Sequence, residues 1–276
     1  MLDRELVEAV KLAREAGAIL LDVYGTDFSV RMKGEEDPVT EADTRVNAFL
    51  VGRIRETFPA DSIIAEETAT SNSRATSNRC WYIDPLDGTK EFIAKNGEFS
   101  VMIGLAIDGE ARLGVVYQPT EDKLYRSVVG DGAFLEQGDK TWVLKVSDVK
   151  EAKDMRLVVS RSHRSEHTTK LVEKLGITQE FPSGSVGLKV GLLAERKADL
   201  YVHLSPKTSA WDACAPDAIL RAAGGQFVDL AGRSLEYSGG ELKNKRGLLA
   251  CNRKGFDSVA PTVLEIAKEA GLVSEG

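Results

Sequence analysis

The chain has 276 residues, a formal net charge of −7 and 42% hydrophobic residues. This composition is sufficient for a packed core and excludes a disordered chain. The negative charge, with no basic stretch to offset it, argues against a nucleic-acid polymer as partner. Cys80, Cys214 and Cys251 form no Cys-x-x-Cys pair, so the sequence indicates neither a disulfide framework nor a zinc knuckle.

The N-terminus does not have the pattern of a secretory signal. Charged residues occupy positions 3–5, ahead of any apolar run. No apolar segment reaches the length of about 18 residues that a membrane-spanning helix needs. The sequence therefore predicts a soluble cytoplasmic protein without a membrane partner.

The first half of the chain has the pattern of helices combined with a mainly antiparallel sheet. Apolar residues recur at helical spacing over residues 3–24 and again between residue 43 and Pro59, which predicts two helices. The charged, proline-containing segment 35–43 is predicted to be a loop. Short apolar runs predict strands over residues 62–67, 81–84, 99–107, 113–117 and 123–129. A Gly-rich turn at 130–132 ends the last of these strands.

Helices and strands alternate after residue 150, which favours an α/β layer. Strands are predicted at 156–160, 198–203, 225–230 and 246–251, and helices at 166–175, from 183 onward, at 212–223 and at 258–269. We therefore expect two halves. Residues 1–150 would form an α+β metal-binding half, and residues 151–276 an α/β substrate-binding half.

Residues 81–92 (WYIDPLDGTKEF) combine features that suit both a metal and an anion. The apolar run ends at Asp84, a tight turn carries Asp87, and Gly88 and Thr89 lead into a predicted helix. Carboxylate oxygens are ligands that Mg²⁺ prefers, and amides at a helix start suit a phosphate. The alternative interpretation is an ordinary Asp-Gly turn with Thr89 as helix cap.

Acidic residues at strand ends or helix starts recur in four separated stretches of the chain. Bringing these carboxylates together would be costly without cations, and two or three Mg²⁺ ions would relieve that cost. Metal ions about 3.5–4 Å apart can cleave phosphate esters. The acids concerned are Asp43, Glu66, Asp84, Asp87 and Asp212.

Four motifs, in this order along the chain, resemble a known superfamily. They are DPVTEAD at 37–43, EE at 66–67, DPLDGT at 84–89, and WDACAP at 211–216 followed by AGG at 223–225. The pattern resembles the lithium-sensitive, magnesium-dependent phosphomonoesterases, which include inositol monophosphatases and 3'(2'),5'-bisphosphate nucleotidases. The resemblance implies a layered αβαβα sandwich with the site between its halves, and a homodimer.

The resemblance also assigns roles at a metal site. Glu66, Asp84 and the Leu86 carbonyl would bind the first Mg²⁺, and Glu66 would hold water around a third. The second Mg²⁺ would be bound by Asp84, Asp87 and Asp212.

A second group of residues would act on the substrate. The resemblance implies that Thr89, paired with Asp43, orients and deprotonates the attacking water, with Glu66 close by. The Gly88 and Thr89 amides would hold phosphate oxygens, and Asp212 would also face the substrate.

The choice of substrate depends on further motifs. TKEF at 89–92, NGEF at 96–99 and VVSRSH at 158–163 resemble the bacterial bisphosphate nucleotidases. Ser205 stands about where inositol monophosphatases carry an acid, and Lys207 is nearby. A wall that is cationic rather than acidic favours a second phosphate over an inositol ring. The residues that we expect to contact the nucleotide are Ser160, His163, Ser185 and Lys189.

The sequence thus predicts a small phosphorylated metabolite as partner and removal of the 3'-phosphate of adenosine 3',5'-bisphosphate as the reaction. Three alternatives stay open. Two are enzymes, with inositol monophosphatase or fructose-1,6-bisphosphatase activity. The third is a non-catalytic regulator that binds a phosphometabolite on the same fold.

Overall fold

The computed structural model describes residues 2–34, 37–70, 73–162, 164–238 and 240–274. In these ranges three layers of helices alternate with two large sheets, so the predicted αβαβα sandwich is confirmed. None of the helices in the described ranges combines the length and apolarity that a bilayer crossing requires.

The outer helices of the first half are α1 (Asp3–Tyr24) and α2 (Glu41–Thr57), as the helical spacing predicts. The short helix predicted after Gly88 is α3 (Thr89–Ile93). Thr40 caps α2, because its Oγ1 accepts from the Ala42 amide at 3.2 Å while its own amide donates to Asp43 Oδ2 at 2.8 Å. The prediction of a loop over residues 35–43 is wrong for residues 37–43, which form a strand and the start of α2. Strand β2 (Asp37–Thr40) pairs antiparallel with β1 (Val30–Gly34) and so forms a hairpin before α2.

The first large sheet has seven strands in the order β3-β4-β5-β6-β7-β8-β9. All neighbours are antiparallel except the first pair, and helices α1 and α2 cover one face. The prediction missed the last two strands, because both are short and β9 is largely exposed. The strands are Ser62–Ala65, Arg79–Asp87, Ser100–Ile107, Glu110–Gln118, Lys123–Val128, Gly132–Gln137 and Lys140–Leu144.

The second sheet has five strands in the order β11-β10-β12-β14-β13. Helices α4 (Glu166–Leu175) and α7 (Phe256–Glu269) cover its outer face. The prediction missed β11, an edge strand that contains Pro182 and is mostly exposed. In chain order the strands are β10 (Arg156–Ser160), β11 (Gln179–Ser183), β12 (Leu200–His203), β13 (Gly225–Val228) and β14 (Leu248–Asn252).

Helices α5 (Val186–Ala194) and α6 (Ala210–Ala222) lie between the two sheets. Two glycines of the seven-stranded sheet allow α6 to approach closely. A Cβ on Gly114 would lie 2.2 Å from the Ala215 carbonyl oxygen, and one on Gly104 would lie 2.7 Å from the Ala215 nitrogen. This contact brings the start of α6 next to the end of β4, where the acidic residues lie.

Candidate active site

Strand β4 ends in an irregularity that places two carboxylates side by side. Asp84 pairs with Met102 of β5, but the next paired residue is Asp87, opposite Ser100, so three steps on β4 match two on β5. Such a bulge bends a strand and redirects its side chains. Asp84 Oδ1 accepts from the Leu86 amide at 3.0 Å, which fixes the turn between the two acids.

Helix α6 supplies a third carboxylate from the opposite half of the chain. Asp212 lies in the first turn of α6, where its Oδ2 accepts from the Ser209 amide at 2.5 Å in a capping box. Asp84, Asp87 and Asp212 each offer a carboxylate oxygen, and these three oxygens lie within 4.8 Å of one another. The structure thus brings together three of the predicted metal ligands.

Burial and, to a lesser extent, mutual repulsion disfavour the charged forms of these acids. Burial and neighbouring carboxylates hold the pKa of Asp84 well above its usual range, and they raise the pKa of Asp212 to about 7. Burial also raises the pKa of Asp87, although Lys189 and Ser185 oppose it. A divalent cation would remove this repulsion, and an all-oxygen donor set suits Mg²⁺ or Ca²⁺, so the residues fit a hard metal ion.

Glu66, the next of the predicted acids, forms an ion pair that the sequence did not predict. Lys33 of β1 contacts Glu66 at 3.2 Å and also pairs with Glu67. Burial raises the pKa of Glu66 to about 8, with Asp212 adding to the effect and Lys33 opposing it. Nothing in the sequence around Lys33 indicated that its side chain would contact these glutamates.

Thr89 and Asp43 come together as expected, although they are far apart in sequence. Thr89 Oγ1 lies 3.3 Å from Asp43 Oδ1 and 3.3 Å from the Leu86 carbonyl oxygen. The Asp43 carboxylate is almost completely buried, and burial raises its pKa although hydrogen bonds from Thr40 oppose the shift. A hydroxyl that contacts a buried carboxylate can relay a proton to it.

One cavity of about 860 Å³ contains most of the predicted site residues. It lies where the ends of β4 and β10 and the starts of α5 and α6 meet. Asp43 contacts it through Thr89, whereas His163 lies outside the described residues. The predicted residues that line it are Glu66, Asp84, Leu86, Asp87, Gly88, Thr89, Ser160, Ser185, Lys189 and Asp212.

Two of the expected nucleotide contacts are more deeply embedded in protein than the sequence suggested. Lys189 is 3% exposed, its Nζ lies 3.4 Å from the Ser183 carbonyl oxygen, and it sits 5.3 Å from the centroid of the Tyr201 ring. Burial lowers the pKa of Lys189 to about 8, although the negative charge of Asp87 opposes this shift. Ser185 is 4% exposed, and its hydroxyl contacts Asp87.

Residues 205–245 of the C-terminal half add basic side chains to the cavity lining. Ser205 and Lys207 line it as predicted, and Lys243 and Lys245 join them. Lys243 Nζ donates to Ser209 Oγ at 3.0 Å, and an isolated bridge pairs the two residues. Sequence reasoning missed both lysines of segment 243–245, because they lie in a polar stretch without a regular period.

The chain resembles characterised proteins over nearly its whole length. Residues 1–268 match the model of the inositol monophosphatase family. The 3'(2'),5'-bisphosphate nucleotidase CysQ of Salmonella typhimurium is 37% identical over 236 residues, which cover 84% of this chain and 94% of that protein. Inositol monophosphatase 1 of Homo sapiens is 31% identical over 265 residues, which cover 92% of each chain.

Solved structures match the fold as well. The IMPase of Thermotoga maritima superposes with a TM-score of 0.81 at 27% identity, covering 97% of this chain and 100% of that one. CysQ from Bacteroides thetaiotaomicron superposes with a TM-score of 0.75 at 30% identity, covering 91% of this chain and 97% of that one.

Proposed function

Because the chain belongs to the inositol monophosphatase family, we propose that it is a Mg²⁺-dependent phosphomonoesterase that removes the 3'-phosphate of adenosine 3',5'-bisphosphate. The 37% identity to a protein named 3'(2'),5'-bisphosphate nucleotidase supports this substrate. A homodimer and a cytoplasmic location belong to the same proposal.

The observation that carries the choice of substrate is the set of lysines that line the cavity together with the acids. Ser205 lines the cavity where we expect an acid in an enzyme that holds sugar hydroxyls, and three lysines of the C-terminal half line the same cavity. Ammonium groups attract a second phosphate, whereas an inositol ring offers them only neutral hydroxyls. The lysines are Lys207, Lys243 and Lys245.

Each carboxylate of the cluster has a part in this proposal. Asp84, Asp87 and Asp212 would hold the metal, with Glu66 and the Leu86 carbonyl completing the set. Bound Mg²⁺ would supply charge stabilisation and lower the pKa of the attacking water. Two or three ions per site are proposed, as in the sequence-based prediction.

The proton is handled by residues of the N-terminal half. Thr89 Oγ1 can take a proton from the attacking water as it passes its own proton to Asp43 Oδ1, 3.3 Å away. Burial raises the pKa of Asp43, which makes this carboxylate a better proton acceptor. The Gly88 and Thr89 amides would orient the phosphate oxygens during the attack.

Substrate preference tests the proposal directly. We expect kcat/KM in Mg²⁺ to be higher for adenosine 3',5'-bisphosphate than for inositol 1-phosphate, measured as phosphate release. Ser205→Glu introduces an acid beside the lysines. It should lower kcat/KM for the bisphosphate by roughly tenfold, the effect of about 1.4 kcal/mol, and should change inositol 1-phosphate hydrolysis little or raise it.

The outcomes separate the candidates. A higher kcat/KM for inositol 1-phosphate would favour inositol monophosphatase activity, which the 31% identity to the human enzyme keeps as second candidate. Preference for fructose 1,6-bisphosphate in the same assay would favour the sugar phosphatase. No turnover on any of the three would favour the non-catalytic regulator.

A further inference from the structure

Ser185 lies at the N-cap of α5 and contacts a carboxylate from the other half of the chain. Its Oγ donates to Asp87 Oδ2 at 2.5 Å, and the Gly187 amide donates to the same oxygen at 3.0 Å. The hydroxyl also accepts from the Leu188 amide at 3.1 Å. The first turn of α5 therefore fixes one oxygen of Asp87 through two separate donors.

The backbone of Ser185 adds a second observation. Its φ of +52° with ψ of 136° is a conformation that L-residues rarely adopt and that glycine adopts easily. The turn is also tight, since a Cβ on the preceding Gly184 would lie 2.4 Å from the Glu98 carbonyl oxygen. A serine in this conformation is strained, and what it offers that glycine lacks is the hydroxyl on Asp87.

We propose that Ser185 is a positioning residue for the metal site and not a nucleotide contact. Both donors reach Oδ2 of Asp87 and so hold this carboxylate in one orientation. One of its oxygens lies within 4.8 Å of carboxylate oxygens of Asp84 and Asp212. Through Ser185, helix α5 of the C-terminal half sets the orientation of a metal ligand carried by β4.

The variant Ser185→Gly tests this role with little risk to the fold, because glycine suits the backbone and is tolerated at a helix N-cap. The readout is Mg²⁺ binding to the full chain by isothermal titration calorimetry without substrate. We expect the Kd for Mg²⁺ to rise about tenfold, as for other groups that orient metal ligands.

Ser100→Ala is the matched control. Ser100 Oγ lies 3.0 Å from Ser185 Oγ, so the variant removes a buried hydroxyl next to the site and leaves the bond from Ser185 to Asp87 in place. Its Kd for Mg²⁺ should stay near that of the wild type. A rise equal to that of Ser185→Gly would assign the effect to general packing and overturn the proposal.

Steady-state kinetics separate positioning from substrate contact. At saturating Mg²⁺ the KM of Ser185→Gly for adenosine 3',5'-bisphosphate should match that of the wild type. An increased KM with unchanged Mg²⁺ binding would make Ser185 a substrate contact and refute our assignment. The proposal takes only the identity of the metal from the proposed function, and the calorimetry contains no substrate, so a wrong substrate would leave its result intact.

Discussion

Thr89 is the residue on which the proposed proton transfer depends. Its hydroxyl has two acceptors at 3.3 Å, the Asp43 carboxylate and the Leu86 carbonyl, and both come from parts of the chain that are fixed independently. Asp43 is fixed by the capping box of α2, and Leu86 by the bulge of β4. The geometry therefore does not depend on a flexible side chain.

Removal of this hydroxyl should affect turnover more than binding. Thr89→Val keeps the shape of the side chain, and we expect kcat to fall by roughly 100-fold or more while KM changes little, because general-base catalysis contributes on that scale. The measurement is phosphate release at saturating Mg²⁺. Thr89→Ser, which retains the hydroxyl, should keep most of the activity. If Thr89→Val turned over like the wild type, the water would have to be activated by Asp43 or Glu66 directly.

At the scale of single elements, α6 carries a buried acid that the proposed chemistry does not use. Asp217 is 2% exposed, and its Oδ2 accepts from the Tyr237 hydroxyl at 3.1 Å. Its Oδ1 has no hydrogen-bond partner within the described part of the chain. Burial raises the pKa of Asp217 to about 7, although Arg221 opposes the shift. The folded protein therefore prefers the neutral form.

The sign of the pH effect follows from that preference. A carboxyl whose pKa is higher in the folded state stabilises the fold fully at pH below about 4, and this contribution is lost as pH rises through about 7. Asp217→Asn stays neutral, so between pH 5 and pH 8 the wild type should lose roughly 2–4 kcal/mol more of its unfolding free energy than the variant. Urea unfolding in EDTA at several pH values measures the difference, and parallel pH profiles would contradict a raised pKa.

Some of the secondary-structure elements could be predicted from the sequence and others could not. The capping box of α2 was predictable, because Thr40 and Asp43 are local and lie at the required spacing. Strands β8, β9 and β11 were not, since they are short segments and their pairing with neighbouring strands depends on tertiary contacts.

The acids of the site could be predicted because they follow apolar runs or precede helices. The helix predicted from residue 183 onward correctly placed Ser185 and Lys189 near the start of a helix. It did not show that Ser185 contacts Asp87, because that contact depends on how α5 approaches the seven-stranded sheet.

At the scale of the molecule, the two halves share both a core and a site. One cluster of buried residues extends from Ile64 in β3 to Ala250 in β14 and fills the space between the sheets. The acidic cluster likewise takes Asp84 and Asp87 from one half and Asp212 from the other. The boundary near residue 150 remains a prediction, and a metal at this cluster would connect the halves on either side of it.

Binding of Mg²⁺ should therefore stabilise the protein as one unit. At a free Mg²⁺ concentration of about 100 times Kd, the gain is about 2.7 kcal/mol, which corresponds to roughly 5–10 °C in Tm for a chain of this size. We expect calorimetry to show a single transition that moves up with Mg²⁺ and down with EDTA. Asp84→Asn removes one proposed ligand and relieves repulsion among the remaining acids. Its Tm in EDTA should therefore equal or exceed that of the wild type, while its response to Mg²⁺ should be much smaller. Two transitions, of which Mg²⁺ shifted only one, would instead mean that a single half binds the metal and that the halves unfold independently.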